Sequence, residues 1–373
     1  MKKQPIVVAQ IMGKWVGGGV EAVIMNYYRN IDRTKIQFDF ICDSDSTNIP
    51  YDEIKKLGGK VILIPPYQNV ISYHFALKKV LKKGKYNIVH SHINTLSVFS
   101  LFAAWCARVP IRIAHNHATS SKREWKRNIL KNILKPLNKI FANVYMACSK
   151  NAGIWMFGEK EYSNGNVKII NNAIETKKFI FDIKERTKLR KKYNIADDEI
   201  VIGQVGRLMQ TKNQSFSIEI FKDFIKEKKS KLIFVGSGPM EKELKEKVTE
   251  NNIDNDVIFL GQMDNTHSLY SMFDILILPS FYEGFGMVLL EAQVSNLTCI
   301  VSTGIPIEAK IVDNVKFISL DDKREWISEL NNFKFVERVD NSNYVKNMNF
   351  DIELECQKLE KIYDKLLRGD IDA

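Results

Sequence analysis

Two carboxylates with seven residues between them stand in a glycine-rich segment that runs from Pro279 to Ala292. Glu283 lies in the predicted loop and can accept hydrogen bonds from sugar hydroxyls. Glu291 lies about one to one and a half turns into the helix that follows, where a ribose would be if phosphates sit at the helix N-terminus. Either acid alone is explained by an ordinary structural role, one at a helix N-terminus and the other facing a core, but these roles do not explain the whole segment from Pro279 to Ala292. Backbone N–H groups free to meet phosphate or sugar oxygens are those of Phe285, Gly286 and Met287.

A second segment carries positive charge immediately after a predicted strand. Gly206 and Arg207 come directly after the end of that strand, and Lys212 follows five residues after Arg207. An arginine and a lysine projected from one strand-to-helix loop can bind a diphosphate from two sides. The same two cations can neutralise charge that develops on a departing nucleotide, and this needs no metal ion. We therefore interpret Arg207 and Lys212 as phosphate-binding residues.

Two glycine-rich turns extend this pattern. Gly236 and Gly238 end the next predicted strand, and Pro239 suits the first turn of the helix after it. This turn is predicted to lie against a nucleotide or its phosphates. Near the start of the chain, Gly18 and Gly19 open a helix whose N-terminus favours a phosphate. A flexible strand-to-helix turn explains the second glycine group equally well.

Histidines cluster at the ends of two predicted strands: His90, His92, His115 and His117. Alternating residues on parallel strands can converge, which suggests a zinc site. However, no cysteine or carboxylate stands at ligand spacing beside them, so zinc is not favoured. Either one or two of these histidines touch a substrate, or they are structural residues with satisfied hydrogen bonds.

The elements that must position these residues follow an alternating pattern of short apolar runs and amphipathic stretches, which predicts parallel α/β layers. Strands are predicted at Ile6–Ile11, Phe38–Cys42, Val61–Ile64, Ile88–His90, Arg112–Ala114, Val144–Cys148, Ile200–Gln204, Lys231–Val235, Val257–Leu260, Ile275–Leu278 and Cys299–Ser302. Helices are predicted at Val20–Asn30, Ser72–Leu81, Ser215–Lys226, Met240–Glu250, Met287–Gln293 and Ile352–Leu367. The segment 171–190 contains no strand-like run, so domains are predicted at residues 1–175 and 176–373.

Composition narrows the class of protein. A chain of 373 residues suits two domains, and 45% hydrophobic with 27% charged residues is ordinary for a soluble globular protein. The five cysteines are far apart and are predicted to be reduced thiols of a cytoplasmic protein. No apolar stretch approaches the roughly 20 residues of a membrane span, so the protein is expected to be soluble or peripheral.

Charge is distributed unevenly along the sequence. Residues 1–175 hold 26 Lys and Arg against 11 Asp and Glu, whereas residues 176–373 hold 29 against 33. The basic half contains an amphipathic stretch, 122–139, in which Trp125, Ile129, Ile133 and Leu137 recur every four residues. Such a helix can lie on an anionic bilayer, or it can pack against the domain with its basic face in solvent. The cations assigned to a membrane surface are Lys122, Arg123, Lys126 and Arg127, with Trp125 beside them.

Taken together, these motifs resemble family-4 glycosyltransferases of the GT-B fold, in particular the subgroup that builds bacterial capsule and exopolysaccharide. The resemblance covers nearly the whole chain. It rests on Gly206-Arg207 with Lys212, Gly236–Pro239, Glu283 to Glu291, Gly17–Glu21, 171–174, Arg112–Thr119 and Ala147–Lys150. The sequence departs from the family at Val294–Thr298, where a glycine and a proline are usual.

The resemblance implies two Rossmann-like domains whose parallel sheets face a cleft, with a terminal helix that can return to the first domain. It implies diphosphate binding by Arg207 and Lys212, ribose binding by Glu291 and sugar contact by Glu283. His117 matches the family's active-site histidine. The donor-binding set also takes in the glycines already named and Gly284.

The activity implied is metal-independent glycosyl transfer with retained configuration, without a resident cofactor. The donor is a nucleotide diphospho-sugar, with UDP favoured by the resemblance, and the acceptor is a saccharide expected to be lipid-linked. A catalytically silent partner of another transferase is an alternative, although Arg207, Glu283 and Glu291 are all present. A sugar-nucleotide 2-epimerase is another. A nucleic-acid partner is not expected, because no recognised nucleic-acid-binding motif is present.

Overall fold

The computed structural model describes residues 4–117, 125–263, 265–335 and 337–369, with the side chains of 125–127 left out. Two compact units account for the fold. The first comprises residues 1–173 together with 352–373, and the second comprises residues 174–351. The terminal helix lies within the second predicted domain, 176–373, but it belongs to the first unit, to which the resemblance allowed it to return.

The described part of the first unit contains a sheet of seven parallel strands in the order β3-β2-β1-β4-β5-β6-β7. Its strands are β1 Ile6–Gly13, β2 Ile36–Asp43, β3 Lys60–Ile64, β4 Ile88–Ser91, β5 Ile111–Asn116, β6 Val144–Ala147 and β7 Val167–Ile169. Parallel strands need crossover connections, and helices on both faces supply them. Because every strand runs the same way, their carboxyl ends share one edge of the sheet.

The helices of the first unit cover the two faces of this sheet. They are α1 Gly19–Asn30, α2 Tyr51–Lys56, α3 Val70–Gly84, α4 Ser97–Cys106, α5 Trp125–Phe141, α6 Lys150–Phe157, α7 Glu159–Ser163 and, at the far end of the sequence, α15 Ile352–Leu367. Helix α15 buries Cys356, Leu359, Tyr363 and Leu366, which recur at helical spacing along one side. It packs beside α1. This apolar stripe explains why the helix returns to the first unit.

Helix α5 buries a different face from the one its sequence suggests. Leu134 and Asn138 are buried, and the Asn138 amide donates hydrogen bonds to the carbonyls of Thr95 at 2.9 Å and Leu134 at 3.1 Å. Ile129 and Ile133, from the predicted apolar stripe, are 55% and 60% exposed. The structure therefore does not support the interpretation of this apolar stripe as the face that packs against the domain.

The described part of the second unit contains a sheet of six parallel strands in the order β10-β9-β8-β11-β12-β13. Its strands are β8 Ile200–Val205, β9 Ser230–Val235, β10 Val257–Phe259, β11 Ile275–Leu278, β12 Thr298–Ser302 and β13 Val315–Ile318. Its helices are α8 Ile183–Lys192, α9 Gln214–Phe224, α10 Glu241–Glu250, α11 Leu269–Met272, α12 Met287–Val294, α13 Lys323–Asn331 and α14 Ser342–Asn347. The central strands β8 and β11 are buried on both faces, as expected for a parallel sheet covered by helices.

A buried carboxylate ties helix α8 to this sheet. Asp274 accepts hydrogen bonds from Arg186 at 2.7 Å, from Arg190 at 3.2 Å and from the Val201 N–H at 2.8 Å. Arg190 and Asp274 are both buried, so their charges are compensated by each other rather than by water. The segment that the sequence marked as a junction thus contributes a helix anchored in the second unit.

None of the described helices is both long enough and apolar enough to cross a bilayer.

Candidate active site

The candidate site of the second unit is built from loops at the carboxyl ends of β8, β9 and β11. These strands are neighbours in the sheet, so residues distant in sequence meet at one edge. The β8 loop spans residues 206–213, the β9 turn spans 236–240 and the β11 loop spans 279–286. All three are the segments that the sequence singled out for chemistry.

The β9 turn requires its glycines because backbone approaches backbone. A Cβ atom on Gly238 would lie 2.1 Å from the Leu208 carbonyl oxygen, and one on Gly236 would lie 2.2 Å from the Gly206 carbonyl oxygen. The two loops are also hydrogen-bonded, since the Leu208 N–H donates to the Ser237 carbonyl at 3.0 Å. These glycines therefore support the loop that carries Arg207 and Lys212.

Two buried glutamines fix the shape of the β8 loop through hydrogen bonds to its backbone. The Gln204 amide donates to the Lys212 carbonyl at 2.9 Å, and the Gln214 amide donates to the Arg207 carbonyl at 3.0 Å. Both glutamines are buried, whereas Arg207 itself is exposed. The guanidinium of Arg207 is thus presented to solvent from a backbone held in place.

Lys212 and Glu283 form an ion pair that joins the β8 and β11 loops. The Lys212 Nζ atom lies 2.5 Å from Glu283 Oε1 and 2.7 Å from Oε2, and Ser280 Oγ donates to Oε1 at 2.8 Å. The lysine side chain is 23% exposed and the glutamate side chain 11%. These two residues were predicted to have separate roles, and the structure places them in direct contact.

Glu291 lies on α12 and is held by a tyrosine. The Tyr270 hydroxyl donates to Glu291 Oε2, and Tyr270 is buried. Burial raises the pKa of Glu291 to about 7, although the Tyr270 hydrogen bond acts in the opposite direction. Near neutral pH this group is therefore present both as a carboxylate, which only accepts hydrogen bonds, and as a carboxylic acid, which can also donate one.

The N-terminus of α12 is formed by glycine in a left-handed conformation. Gly286 has φ +85°, which favours glycine, and no side chain caps the helix. Phe285 and Met287 flank it, with Gly284 one residue further back, and the Phe285 ring is buried and packs on Phe350 with centroids 5.1 Å apart. Because this ring is buried, only the backbone of Phe285 is left to contact a ligand, and the predicted phosphate contact stays a prediction.

In the first unit, the Gly18–Gly19 turn begins α1, and Gly18 is the N-cap without a side-chain hydrogen bond. The carboxylate of Glu21 occupies this turn, where Oε1 accepts the Val16 N–H at 3.1 Å. The Glu21 carboxylate thus already accepts one of the backbone N–H groups of this turn. The prediction that it binds phosphate stays a prediction.

His117 follows β5 and is held through its backbone, whose N–H donates to Asn94 Oδ1 at 2.9 Å. Burial lowers the pKa of His117 to about 4, so its imidazole is neutral at physiological pH. Its ring stacks on that of His115 with centroids 4.1 Å apart. His90, His92 and His115 offer ligand atoms within 4.8 Å of one another, but each of these rings already has a hydrogen-bond partner.

Sequence reasoning missed the residues that orient the candidate groups. Tyr270, Gln204 and Gln214 carry no local motif, and their roles depend on contacts between separate elements. Of the membrane-surface residues, Lys122 and Arg123 lie outside the described residues. Trp125, Lys126 and Arg127 belong to α5 by backbone, with side chains that are not described.

Comparison with solved structures identifies the class of fold. HepE of Anabaena, solved in complex with UDP-glucose, matches with a TM-score of 0.79 and 18% identity over 96% of this chain and all of that one. WaaG, a glycosyltransferase involved in lipopolysaccharide biosynthesis, matches with a TM-score of 0.64 and 15% identity over 98% of this chain and 99% of that one. These likenesses confirm the predicted GT-B class with two Rossmann-like, parallel-sheet domains.

Sequence comparison identifies the family. The description "Glycosyltransferase Family 4" matches residues 17–178, and "Glycosyl transferases group 1" matches residues 185–334. The candidate glycosyltransferase EpsF of Bacillus subtilis (strain 168) is 32% identical over 295 residues, 77% of each chain. The chain belongs to the family-4 glycosyltransferases of the GT-B fold.

We predict that Gly238→Ala displaces the β8 loop, because its Cβ atom and the Leu208 carbonyl cannot both keep their places. The free energy of unfolding of the second unit should fall by about 1–3 kcal/mol. Thermal melting measures the loss, and amide hydrogen exchange should be faster across residues 206–213. Gly19→Ala is the control, since a Cβ atom there meets nothing within 4 Å. A Gly238→Ala protein as stable as wild type would contradict the proposed backbone contact.

Proposed function

We propose that this glycosyltransferase moves a hexosyl or N-acetylhexosaminyl group from a UDP-sugar to a lipid-linked saccharide, with retention of configuration. The observation that carries this proposal is the position of Arg207 and the Lys212–Glu283 ion pair on the loops that follow the neighbouring strands β8 and β11, with Glu291, which Tyr270 holds, on the helix after the β11 loop. Cations and hydroxyl-binding carboxylates at one edge suit a ligand that is part diphosphate and part sugar.

The diphosphate is assigned to Arg207, Lys212 and the N-terminus of α12. Arginine and lysine bind phosphate oxygens through charge-assisted hydrogen bonds, and the uncapped first turn of α12 adds backbone donors. Glu291, ionised above its pKa of about 7, accepts the ribose hydroxyls. Glu283 accepts donor-sugar hydroxyls, while its ion pair fixes the Lys212 ammonium at the same place.

Transfer breaks the bond between the anomeric carbon and the terminal phosphate oxygen and forms a bond from that carbon to an acceptor oxygen. The electron pair of the broken bond stays on the nucleotide, where Arg207, Lys212 and the α12 N-terminus stabilise it. The acceptor hydroxyl gives its proton to the departing phosphate on the same face of the sugar. His117 is assigned a contact with the donor sugar from the family resemblance.

Relatives support the acceptor and the biological setting. An Escherichia coli relative is named as a galactosyltransferase that uses UDP-Gal and an N-acetylglucosaminyl diphosphoundecaprenol, and it is 28% identical over 76% of each chain. CapH of Staphylococcus aureus, named for capsular polysaccharide biosynthesis, is 24% identical over 96% of this chain and 98% of that one. We infer a role in capsule or exopolysaccharide synthesis.

An anionic membrane surface is the proposed location of the acceptor. Helix α5 exposes Ile129, Ile133 and Ile140, and neighbouring α4 exposes Phe102 and Trp105. Exposed lysines on the adjacent α3 add positive charge, at Lys79, Lys82 and Lys83. Apolar side chains beside lysines suit the boundary between acyl chains and anionic headgroups.

We predict that Arg207→Ala and Glu291→Ala each weaken UDP binding by roughly ten- to a hundredfold while the fold stays intact. Each change removes charge-assisted hydrogen bonds worth about 1.5–3 kcal/mol. Calorimetry at pH 8, where Glu291 is ionised, measures the loss. Arg324→Ala and Glu246→Ala serve as controls, because both side chains form exposed ion pairs elsewhere in the second unit. Unchanged affinity in both test variants would refute this donor site.

We predict that transfer activity survives EDTA, because cations and backbone donors take the position that a metal ion would otherwise fill. The alternative ligands are the carboxylates of Asp43 and Asp45 in the first unit. Asp45 is paired with Lys14 at 2.7 Å, and burial raises the pKa of Asp43 to about 6. Nucleotide release measured before and after chelation tests this. Complete loss that Mn²⁺ or Mg²⁺ restores would overturn it and make both aspartates candidate ligands.

We predict that the protein binds anionic liposomes and that binding weakens with added salt, since each lysine or arginine near the surface contributes about 1 kcal/mol. Replacing Ile129 and Ile133 by serine should reduce co-sedimentation, as should Gln at Lys122, Arg123, Lys126 and Arg127. UDP affinity should be unchanged. Ile183→Ser, an exposed isoleucine of the second unit, is the control. If the wild-type protein does not bind anionic liposomes at low salt, the basic residues of the first unit have another partner.

A further inference from the structure

Six buried polar side chains form one hydrogen-bond network on a single face of the first sheet. Four are imidazoles at the ends of β4 and β5, one is an amide on β1, and one is a phenol on α15. They are Gln10, His90, His92, His115, His117 and Tyr363. Polar groups this deeply buried are costly without hydrogen-bond partners, so each bond that the network does make constrains which atom donates and which accepts.

One string of the network starts at the terminal helix. The Tyr363 hydroxyl lies 2.6 Å from His90 Nδ1, and His90 Nε2 lies 3.0 Å from His115 Nδ1. The remaining ring nitrogen, His115 Nε2, is buried and has no hydrogen-bond partner among the described residues. The string therefore ends on an open nitrogen of His115.

The other string starts on β1. Gln10 Oε1 lies 2.7 Å from His92 Nε2, and His92 Nδ1 lies 2.9 Å from His117 Nε2. This string ends on His117 Nδ1, which is buried and, among the described residues, lacks a hydrogen bond of good geometry. The Asn172 side chain is the remaining polar neighbour of this ring, and a hydrogen bond with it raises the pKa of His117 against the larger effect of burial.

All four imidazoles are neutral, because burial lowers the pKa of each of them. A neutral imidazole has one N–H and one lone pair. A hydrogen donated into one nitrogen of a ring therefore forces the other nitrogen to be the donor. The direction set at the start of a string is passed to its open end.

Gln10 links the two strings, since its Nε2 donates to the Tyr363 hydroxyl at 3.4 Å. The phenol has one hydrogen, and its shorter contact is with His90, so that hydrogen goes to His90 Nδ1. Tyr363 then accepts from the Gln10 N–H, which leaves the Gln10 oxygen to accept from His92 Nε2. One orientation of the amide thus sets both strings.

We propose that Gln10 and Tyr363 are positioning residues that fix the tautomers of His115 and His117 together. In this arrangement His115 presents an N–H at Nε2, and His117 presents a lone pair at Nδ1. Reversing the amide reverses both, so the two open nitrogens always have opposite polarity. The inference deepens the proposed function, on which its activity arm rests: the lone pair of His117 accepts a hydrogen bond from a sugar hydroxyl.

The tautomers are measured directly by two-bond ¹H–¹⁵N correlation spectra of protein labelled with ¹⁵N-histidine. We expect His117 to carry its hydrogen on Nε2 and His115 to carry its hydrogen on Nε2. Tyr363→Phe frees the Gln10 amide to rotate, so the His117 nitrogen shifts should move toward the average of two tautomers. Gln10→Met removes the amide that joins Tyr363 to His92, so it should move the His117 shifts in the same way. Tyr28→Phe is the control, because its hydroxyl bonds to Gln37, away from the network.

Kinetics provide the second readout. Tyr363→Phe should lower kcat for transfer about tenfold, and Tyr28→Phe should leave it unchanged. In a His117→Asn background, Tyr363→Phe should have no further effect, because a positioning residue acts only through the group it positions. An equal loss in both backgrounds would mean that Tyr363 is merely structural.

Three results would overturn the proposal: His117 with its hydrogen on Nδ1, His117 shifts unaffected by both Tyr363→Phe and Gln10→Met, or stoichiometric binding of added Zn²⁺ that His90→Ala abolishes. The last would mean that the cluster is a metal site. The spectra need no substrate, so wild-type protein that fails to transfer sugar from UDP-sugars would refute the proposed function and leave the tautomer assignment standing.

Discussion

The contact between the Gly238 backbone and the Leu208 carbonyl is the constraint on which the second unit's candidate site depends. At this distance no side chain is possible, so the β9 turn can lie directly beneath the β8 loop. The loop is then held between that turn and the amides of Gln204 and Gln214. Arg207 and Lys212 consequently project from rigid backbone, which reduces the entropy that a bound anion must overcome.

The two units handle buried polar groups in different ways. In the second unit each important carboxylate has a charged or hydroxyl partner: Glu283 has Lys212, Glu291 has Tyr270, and Asp274 has two arginines. In the first unit the buried imidazoles are neutral and bond to one another, to Gln10 and to Tyr363. Charged side chains therefore lie at the edge where the diphosphate is proposed to bind, whereas hydrogen-bond direction is the property that the buried histidines of the first unit can control.

Much of the fold follows from the sequence because parallel strands are short apolar runs, and their carboxyl ends must share an edge. This predicted that the β8, β9 and β11 loops would meet. The edge strands β7 and β13 were missed because each is short and has a lysine within its apolar run, and α4 was missed because it is apolar all round. The Lys212–Glu283 contact was also beyond prediction, since it joins residues 71 apart through side-chain geometry. Tyr363 lacked any local signal for the same reason.

The return of α15 to the first unit also fixes an order of events during synthesis. The ribosome makes all of residues 174–351 before it makes α15, the helix that carries Tyr363 to the buried histidines. The second unit, whose chain is continuous, can complete its sheet while the first still lacks a layer. The usual order, in which the N-terminal domain folds first, is thereby reversed for the last step. Until α15 arrives, His90 lacks the Tyr363 hydroxyl that it contacts, so a chain cut short before this helix leaves part of the first unit's interior open to proteases and chaperones.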